Sequence, residues 1–247
     1  MKFHLLNTNT KLLKTIDGQR YLLAGLTLAP HSLGGYGSIC PESTSGCRST
    51  CVLWFSGRTV TQPVRRAMLR RTTELFTDRA TFEARLCSDI ERHIRQAQRA
   101  KLVPLLRLNV ASDLDWTHVI RQFPEAHFYD YTKVRSRLKK DLPSNYHLTY
   151  SVSERSDNRF IGRVLRSGRN VAAVFSTRYV PQHGRIDPLP ASVSFGHGRQ
   201  WPVVDGDYFD ARLPDIDGRG VVVGLRFKGG LKRRAQAIRS GFCLEVK

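Results

Sequence analysis

The chain has 247 residues, and its 40 Lys and Arg against 21 Asp and Glu give a formal charge of +19. It is long enough to bury a core without staples, no apolar run approaches the roughly 20 residues that cross a bilayer, and the opening MKFHLLNTNTKLLK has neither a signal-peptide core nor a cleavage site. These features set aside a membrane protein and a secreted disulfide scaffold. They lead to the expectation of a cytoplasmic protein with reduced thiols and a polyanionic partner, nucleic acid and foremost DNA.

In chain order, residues 1–20 read as an irregular lead-in. Tyr21–Pro30 reads as a strand, and Gly34, Gly35 and Gly37 follow as a flexible loop. Helical spacing runs from Gln62 to Lys101, with Pro63 in a first turn and Asp78 capping a second helix. Phe82, Leu86, Ile90, Ile94 and Ala97 form that helix's apolar stripe, and Cys87 beside it reads as core. Short strands are then expected at Leu105–Val110, His127–Tyr131, Tyr146–Val152 and Asn170–Ser176. A short helix lies over Thr117–Gln122, a basic connector over Lys133–Lys140, and a helix capped by Asp157 runs through Leu165. After a Pro-rich stretch, Gly220–Phe227 reads as a buried strand, followed by a short basic helix and a last strand with Cys243. Strands spaced by helical pieces imply parallel pairing with right-handed crossovers. The expectation is one α/β domain over 1–247, an irregular or partial (β/α) barrel with mostly parallel strands and a cysteine-rich loop at 31–58. An open doubly wound sheet is the second choice.

Three of the five cysteines, Cys40, Cys47 and Cys51, fall together in CPESTSGCRSTC. Cys47 and Cys51 are four apart, so a helical turn would put both thiols on one face. Three thiolates are one short of a closed structural zinc site and also match an iron–sulfur cluster with one iron left open. A metal, zinc or iron–sulfur, is the favoured reading, against a disulfide or unrelated buried thiols. His31 is the one histidine close enough in sequence to be a fourth ligand.

Acidic residues recur at expected strand ends: Asp113, Asp130, Glu154, and Asp205 or Asp207. In a parallel architecture those ends converge on one face, where carboxylates act as general acid, base or nucleophile. Asp113, Asp130 and Asp205 are the catalytic candidates; the alternative is that each caps a helix or pairs with an arginine. Asp115 reads as a helix cap, and Asp210, Asp215 and Asp217 as turn residues. Arg107 and Asn109 share one face of their strand and are candidate nucleic-acid contacts. Lys133, at period two with Tyr129 and Tyr131, is another, because aromatic and cationic side chains together suit stacked bases and phosphates. Arg159, Arg163 and Arg166 make one helical stripe, and Lys232, Arg233 and Arg234 a further basic cluster. The alternative is an edge charge for Arg107, a snorkelling lysine on a half-buried strand for Lys133, and solvated charge for the two basic clusters.

Three of these pieces together resemble the gene-product-88-like family of phage and plasmid proteins: CP…GCRSTC at 40–51, RLNVASDL at 107–114 and FYDYTK at 128–133. The resemblance covers about residues 20–175. It makes Asp113 the counterpart of the family's strand-end aspartate and Lys133 that of its lysine. Asn109 stands where the family has histidine, and Ala111-Ser112 where it has Ser-Gly. At longer range the chain is similar to phage deazaguanine DNA transglycosylases, which exchange a base using aspartates. It is also similar to radical S-adenosylmethionine enzymes, partial barrels with three cysteines after the first strand, although their C-x3-C-x2-C spacing differs from C-x6-C-x3-C here. The resulting expectation is a phage-type enzyme that modifies a nucleic-acid base through strand-end aspartates. A radical-type iron–sulfur enzyme and a non-catalytic DNA-binding protein with structural zinc are the alternatives.

Overall fold

The computed structural model describes residues 4–7, 20–55, 57, 61–139, 141–180, 185–196 and 198–246. Most of the expected lead-in, Arg58 at the end of the cysteine-rich loop and Lys140 of the basic connector lie outside the described residues.

The elements run in order as β1 (Leu6–Asn7), β2 (Tyr21–Leu26), α1 (Ser45–Ser49), α2 (Val52–Phe55), α3 (Gln62–Thr77), α4 (Arg79–Arg99) and β3 (Val103–Arg107). Next come α5 (Thr117–Ile120), β4 (His127–Thr132), a 3-10 turn at Arg135–Lys139, β5 (Tyr146–Ser151), α6 (Asn158–Arg166) and β6 (Val171–Val180). The chain closes with β7 (Arg185–Ile186), β8 (Ser192–Ser194), β9 (Gln200–Asp205), α7 (Pro214–Asp217), β10 (Val222–Phe227) and α8 (Leu231–Arg239).

The expected α/β class with mostly parallel strands is found. Strands β2 to β6 pair in chain order and in parallel, and β10 then lies between β6 and β9, parallel to both. Antiparallel β1 and β8 form the two ends of the path, so the sheet is open. Three short strands fall where none was expected. β1 exists because buried Asp89 of α4 accepts the backbone N–H groups of Leu5 and Leu6, at 2.6 and 3.1 Å. β7 and β8 arise in the Pro-rich stretch by pairing with β6 and β9. At the C-terminus only an isolated parallel bridge, Phe175 to Leu244, takes the place of the expected last strand.

Parallel strands taken in chain order with right-handed crossovers place their helices on one face. That face carries the main core, where Phe82, Leu86, Ile90 and Ile94 of α4 and Phe160, Ile161, Val164 and Leu165 of α6 meet Leu106, Phe128, Leu148, Tyr150 and Val222. Trp116, buried, stacks on Phe82 at 6.3 Å and anchors the connection after β3. Asp78 caps α4 and Asp157 caps α6 through side-chain acceptors, as read from sequence. The opposite face is covered by chain rather than by helix. Phe209, Ala211 and Leu213, from the connection after β9, pack on Leu23, Leu105 and Tyr129 of β2, β3 and β4. With both faces covered, the strands read as near-continuous apolar runs.

Candidate functional site

Because β2 through β6 are parallel, their C-terminal ends share one edge of the sheet, and the cysteine loop leaves from that edge. Thr44 accepts the Cys47 N–H at 3.2 Å and caps α1. The helix stops at Ser49, where the Thr50 hydroxyl donates to the Gly46 carbonyl at 2.6 Å. Cys51 therefore lies between α1 and α2 instead of continuing the turn of Cys47. Cys40 is held on the loop before them: its sulfur accepts the His31 N–H at 3.3 Å, and its thiol donates to the Ala111 carbonyl at 3.4 Å.

All three thiols are held above their ordinary range, chiefly by burial. Cys40 is pushed up to about 12, with Cys47, Cys51 and Asp113 adding to the effect. Cys51 is raised by burial and by Cys47. Cys47 is raised by burial and by Glu154, while the Lys133 ammonium works the other way. Burial thus disfavours the thiolate form at all three sulfurs. Among the described residues, no group of three or more His, Cys, Asp or Glu side chains stands in a metal-ligating arrangement. His31 turns its Nδ1 to Ser32 at 3.3 Å.

Around these thiols the strand ends are tied together. Glu154, past β5, accepts the Thr44 hydroxyl at 2.7 Å and the Gly46 N–H at 2.8 Å, so it clamps the start of α1. Lys133, past β4, donates to the Ser151 hydroxyl at 2.8 Å and to the Ser151 and Val152 carbonyls at 3.4 Å. Its ammonium lies 5.6 Å from the Phe242 ring centre. Asp113, past β3, accepts the Lys133 backbone N–H at 2.7 Å and pairs with the buried Arg137 guanidinium. Its own N–H donates to the Ile39 carbonyl at 2.8 Å, joining β3, β4 and the cysteine loop.

Asp130 lies one step deeper and is completely buried. It accepts the Asn109 N–H at 2.7 Å, the Asn109 side-chain amide at 3.0 Å and the Tyr146 hydroxyl at 3.0 Å. Burial raises it to about 6, against the pull of Arg137 and Arg107. Asn109 also takes the Ser112 hydroxyl and the Leu114 N–H, each at 2.8 Å, and so shapes the turn that carries Asp113.

The remaining candidates stand elsewhere. Asp205 ends β9 and pairs with Arg226 at 2.8 Å, and Arg226 in turn reaches Asp207 at 3.3 Å. Arg107 is buried on the opposite sheet face, paired with Asp210 at 3.2 Å and 4.7 Å from the Tyr131 ring centre. Asp210, at a bend, and Asp217, at the end of α7, also hold buried partners. Asp210 is buried and also accepts the Tyr129 hydroxyl at 2.9 Å, and Asp217 pairs with buried Arg212 at 3.0 Å. Arg233 donates to the Ser49 carbonyl at 2.9 Å and lies 3.6 Å over the Phe55 ring, tying α8 to the cysteine segment. Arg234 donates to the Ser176 carbonyl, and Lys232 is exposed. Arg159, Arg163 and Arg166 are exposed along α6. Asp115 was expected to cap a helix; it lies one residue before the α5 N-cap, Trp116, and its carboxylate accepts the Thr117 N–H at 3.0 Å and the Thr117 hydroxyl at 2.6 Å.

Sequence reasoning missed Arg137, Tyr146, Ser151 and Phe242. Arg137 was read only as part of a basic connector, and no local pattern marks a guanidinium that turns inward. Ser151 carried a usable signal, since it ends a strand next to the one that ends at Lys133.

The fold and these contacts define a mostly parallel α/β protein with a site at its strand ends, built from thiols, one ammonium group and carboxylates. The chain belongs to the Gene product 88 family, whose model it matches over residues 4–246. It is also 28% identical over 163 residues to the Gene 88 protein of Mycobacterium phage D29, a match covering 58% of this chain and 63% of that relative. The match therefore spans less than two thirds of the relative's length. No solved structure matches the chain. The resemblance drawn from the cysteine loop, RLNVASDL and FYDYTK is borne out at the level of family.

Proposed function

We propose that the protein is an enzyme that modifies a base of nucleic acid, foremost DNA, in the cytoplasm of a phage-infected cell. In this reading its reactive centre is the set of thiols at the strand ends. The observation that carries it is the convergence of strand-end segments on the cysteine loop: Glu154, past β5, accepts from Thr44 and Gly46 at the start of α1, and Asp113, past β3, is bonded to Lys133, past β4, and to Ile39 beside Cys40. Strand-end loops of parallel α/β folds are where such folds assemble chemistry from separate segments. The chain-order pairing of β2 to β6 in an open sheet, with the connection after β9 reaching back over β2, supports a partial rather than a closed (β/α) barrel.

The carboxylates are better suited to building the site than to reacting in it. Asp113 has one oxygen on a backbone N–H and the other on Arg137, and Asp130 is buried under three donors. This weighs against base exchange by Asp113 or Asp130 and favours the reading in which the sulfurs react. Thiols are soft donors of the kind that take zinc or an iron–sulfur cluster, but as they stand these three do not form a metal-ligating group. To bind either, Cys40 must turn from Ala111 and the thiols must lose their protons. Zinc there supplies Lewis acidity and an iron–sulfur cluster supplies electrons. The Lys133 ammonium favours the anionic form of Cys47 against the effect of burial. The test is the nucleoside composition of DNA and RNA from cells expressing the protein, by mass spectrometry. A new nucleoside is expected in DNA; unchanged DNA and RNA under expression with both metals supplied overturns the reading.

A further inference from the structure

The arginines that matter to the fold are neutralised. Arg107, Arg137, Arg212 and Arg226 are each buried and each paired with an aspartate. A different group is not. Arg159, Arg163 and Arg166 of α6 converge with Arg199, from the turn between β8 and β9, on a cleft of about 250 Å³. Asn158, Gly162, Phe195, Gly196 and Trp201 complete its lining. Among the described residues, none of these four guanidinium groups is paired with a carboxylate. Four like charges around one concavity repel each other, and a bound anion relieves that repulsion.

The cleft is also pre-shaped. Arg199 lies 4.1 Å over the ring of buried Trp201, and Arg163 lies 5.7 Å from the Phe160 ring centre. Stacking on an aromatic face holds a guanidinium plane at a fixed angle and reduces the entropy lost when it binds. The spacing along α6 comes from the sequence, because residues 159, 163 and 166 fall on one side of a helix whose other side is the core stripe. Arginine in this setting presents forked donors that match phosphate oxygens. The volume lies below the roughly 300–1,000 Å³ of drug-sized ligand pockets, so it suits a phosphate with its sugar.

We infer that this cleft is a phosphate-binding site that anchors one nucleotide of a nucleic-acid strand, separate from the thiols at the strand ends. The inference rests on the nucleic-acid reading above and adds where the backbone is held. The alternative source of the same chemistry is a free nucleotide. The test measures binding of a fluorescein-labelled single-stranded 12-mer by anisotropy across a salt series, and of AMP and dAMP by calorimetry. Wild type is compared with Arg159→Gln/Arg163→Gln/Arg199→Gln. A control, Arg66→Gln/Arg99→Gln/Arg219→Gln, removes the same charge at exposed positions outside the cleft.

The cleft variant is expected to bind the 12-mer at least tenfold more weakly. Its slope of log affinity against log salt should be shallower by about 2, since each single-strand phosphate contact contributes about 0.7. The control should change little, and both variants should melt like wild type. Equal losses in the two variants overturn the cleft while leaving nucleic-acid binding in place. No 12-mer binding by wild type at low salt overturns both the cleft and the nucleic-acid reading. Loss of mononucleotide binding with unchanged 12-mer binding assigns the cleft to a free nucleotide and overturns the strand anchor.

Discussion

Asp113 accepts the backbone N–H of Lys133 at 2.7 Å, so the lysine whose ammonium reaches Ser151 is positioned by the aspartate that follows β3. The same carboxylate takes the Arg137 guanidinium, with both side chains less than a tenth exposed. Asp113→Asn puts an amide N–H against one of these donors. Breaking a buried pair costs about 3–5 kcal/mol, and in a chain of this size each kcal/mol moves Tm by about 2–4 °C. A fall in Tm of about 10 °C is expected. A Tm equal to wild type together with lost product would instead make Asp113 a reacting group.

Asp130 gives a pH dependence of known sign. Its folded pKa, about 6, lies above the 3.8 of an ordinary, solvated aspartate. The folded chain therefore holds a proton that the unfolded chain releases, and stability falls as pH rises from about 4 to 7. Asp130→Asn removes this titration but sets an amide against the Asn109 and Tyr146 donors. The variant should be less stable than wild type at pH 4, and the gap should narrow by about 2–3 kcal/mol by pH 7. Denaturant unfolding of both proteins across that range checks it, and a constant gap refutes the buried-carboxyl account.

The core elements were legible because they depend on local pattern. The α4 stripe, the caps Asp78 and Asp157 and the apolar strands all follow from spacing within a few residues. The strand-end edge was legible too, since parallel order alone brings Asp113, Lys133 and Glu154 together. Partners of buried charges were not legible. The Arg107–Asp210 pair spans 103 residues, and Asp210 sits in WPVVDGDYFDARLPDID, which reads locally as acidic turns. What turns that segment inward is Phe209, Ala211 and Leu213 packing on the second sheet face. β1 was hidden for a similar reason, because its backbone is paid for by Asp89 on a distant helix.

Gly46 marks the tightest approach around the cysteine helix. A Cβ there would lie 2.8 Å from the Glu154 carboxylate and the Ser240 hydroxyl and 2.9 Å from Phe242. Gly46→Ala should push α1 away from α8 and the clamp, costing about 1–3 kcal/mol as other overpacked sites do. Faster alkylation of Cys47 by iodoacetamide in the folded protein is the expected readout. An unchanged alkylation rate and Tm contradict the close packing.

The sulfur set makes a claim about metal. Protein purified without oxygen should carry zinc or iron, colourless in the first case and brown in the second. Alanine at Cys40, Cys47 or Cys51 should release it, whereas alanine at Cys87, on the far α4, should not. Loading should improve as pH rises, because binding displaces thiol protons. Elemental analysis of folded wild type showing neither metal removes the metal from the account.

The account stands most directly on where the chemistry is done. The measurement is the yield of modified nucleoside in DNA from cells expressing Cys47→Ala, beside wild type and Cys87→Ala. Protein level, Tm and 12-mer affinity are followed in each. The account predicts wild-type yield from Cys87→Ala, and from Cys47→Ala a yield lower by at least a hundredfold, about the scale at which a single catalytic group acts, with 12-mer affinity kept. Wild-type yield from Cys47→Ala would contradict it and return the search to Asp113 and Asp205.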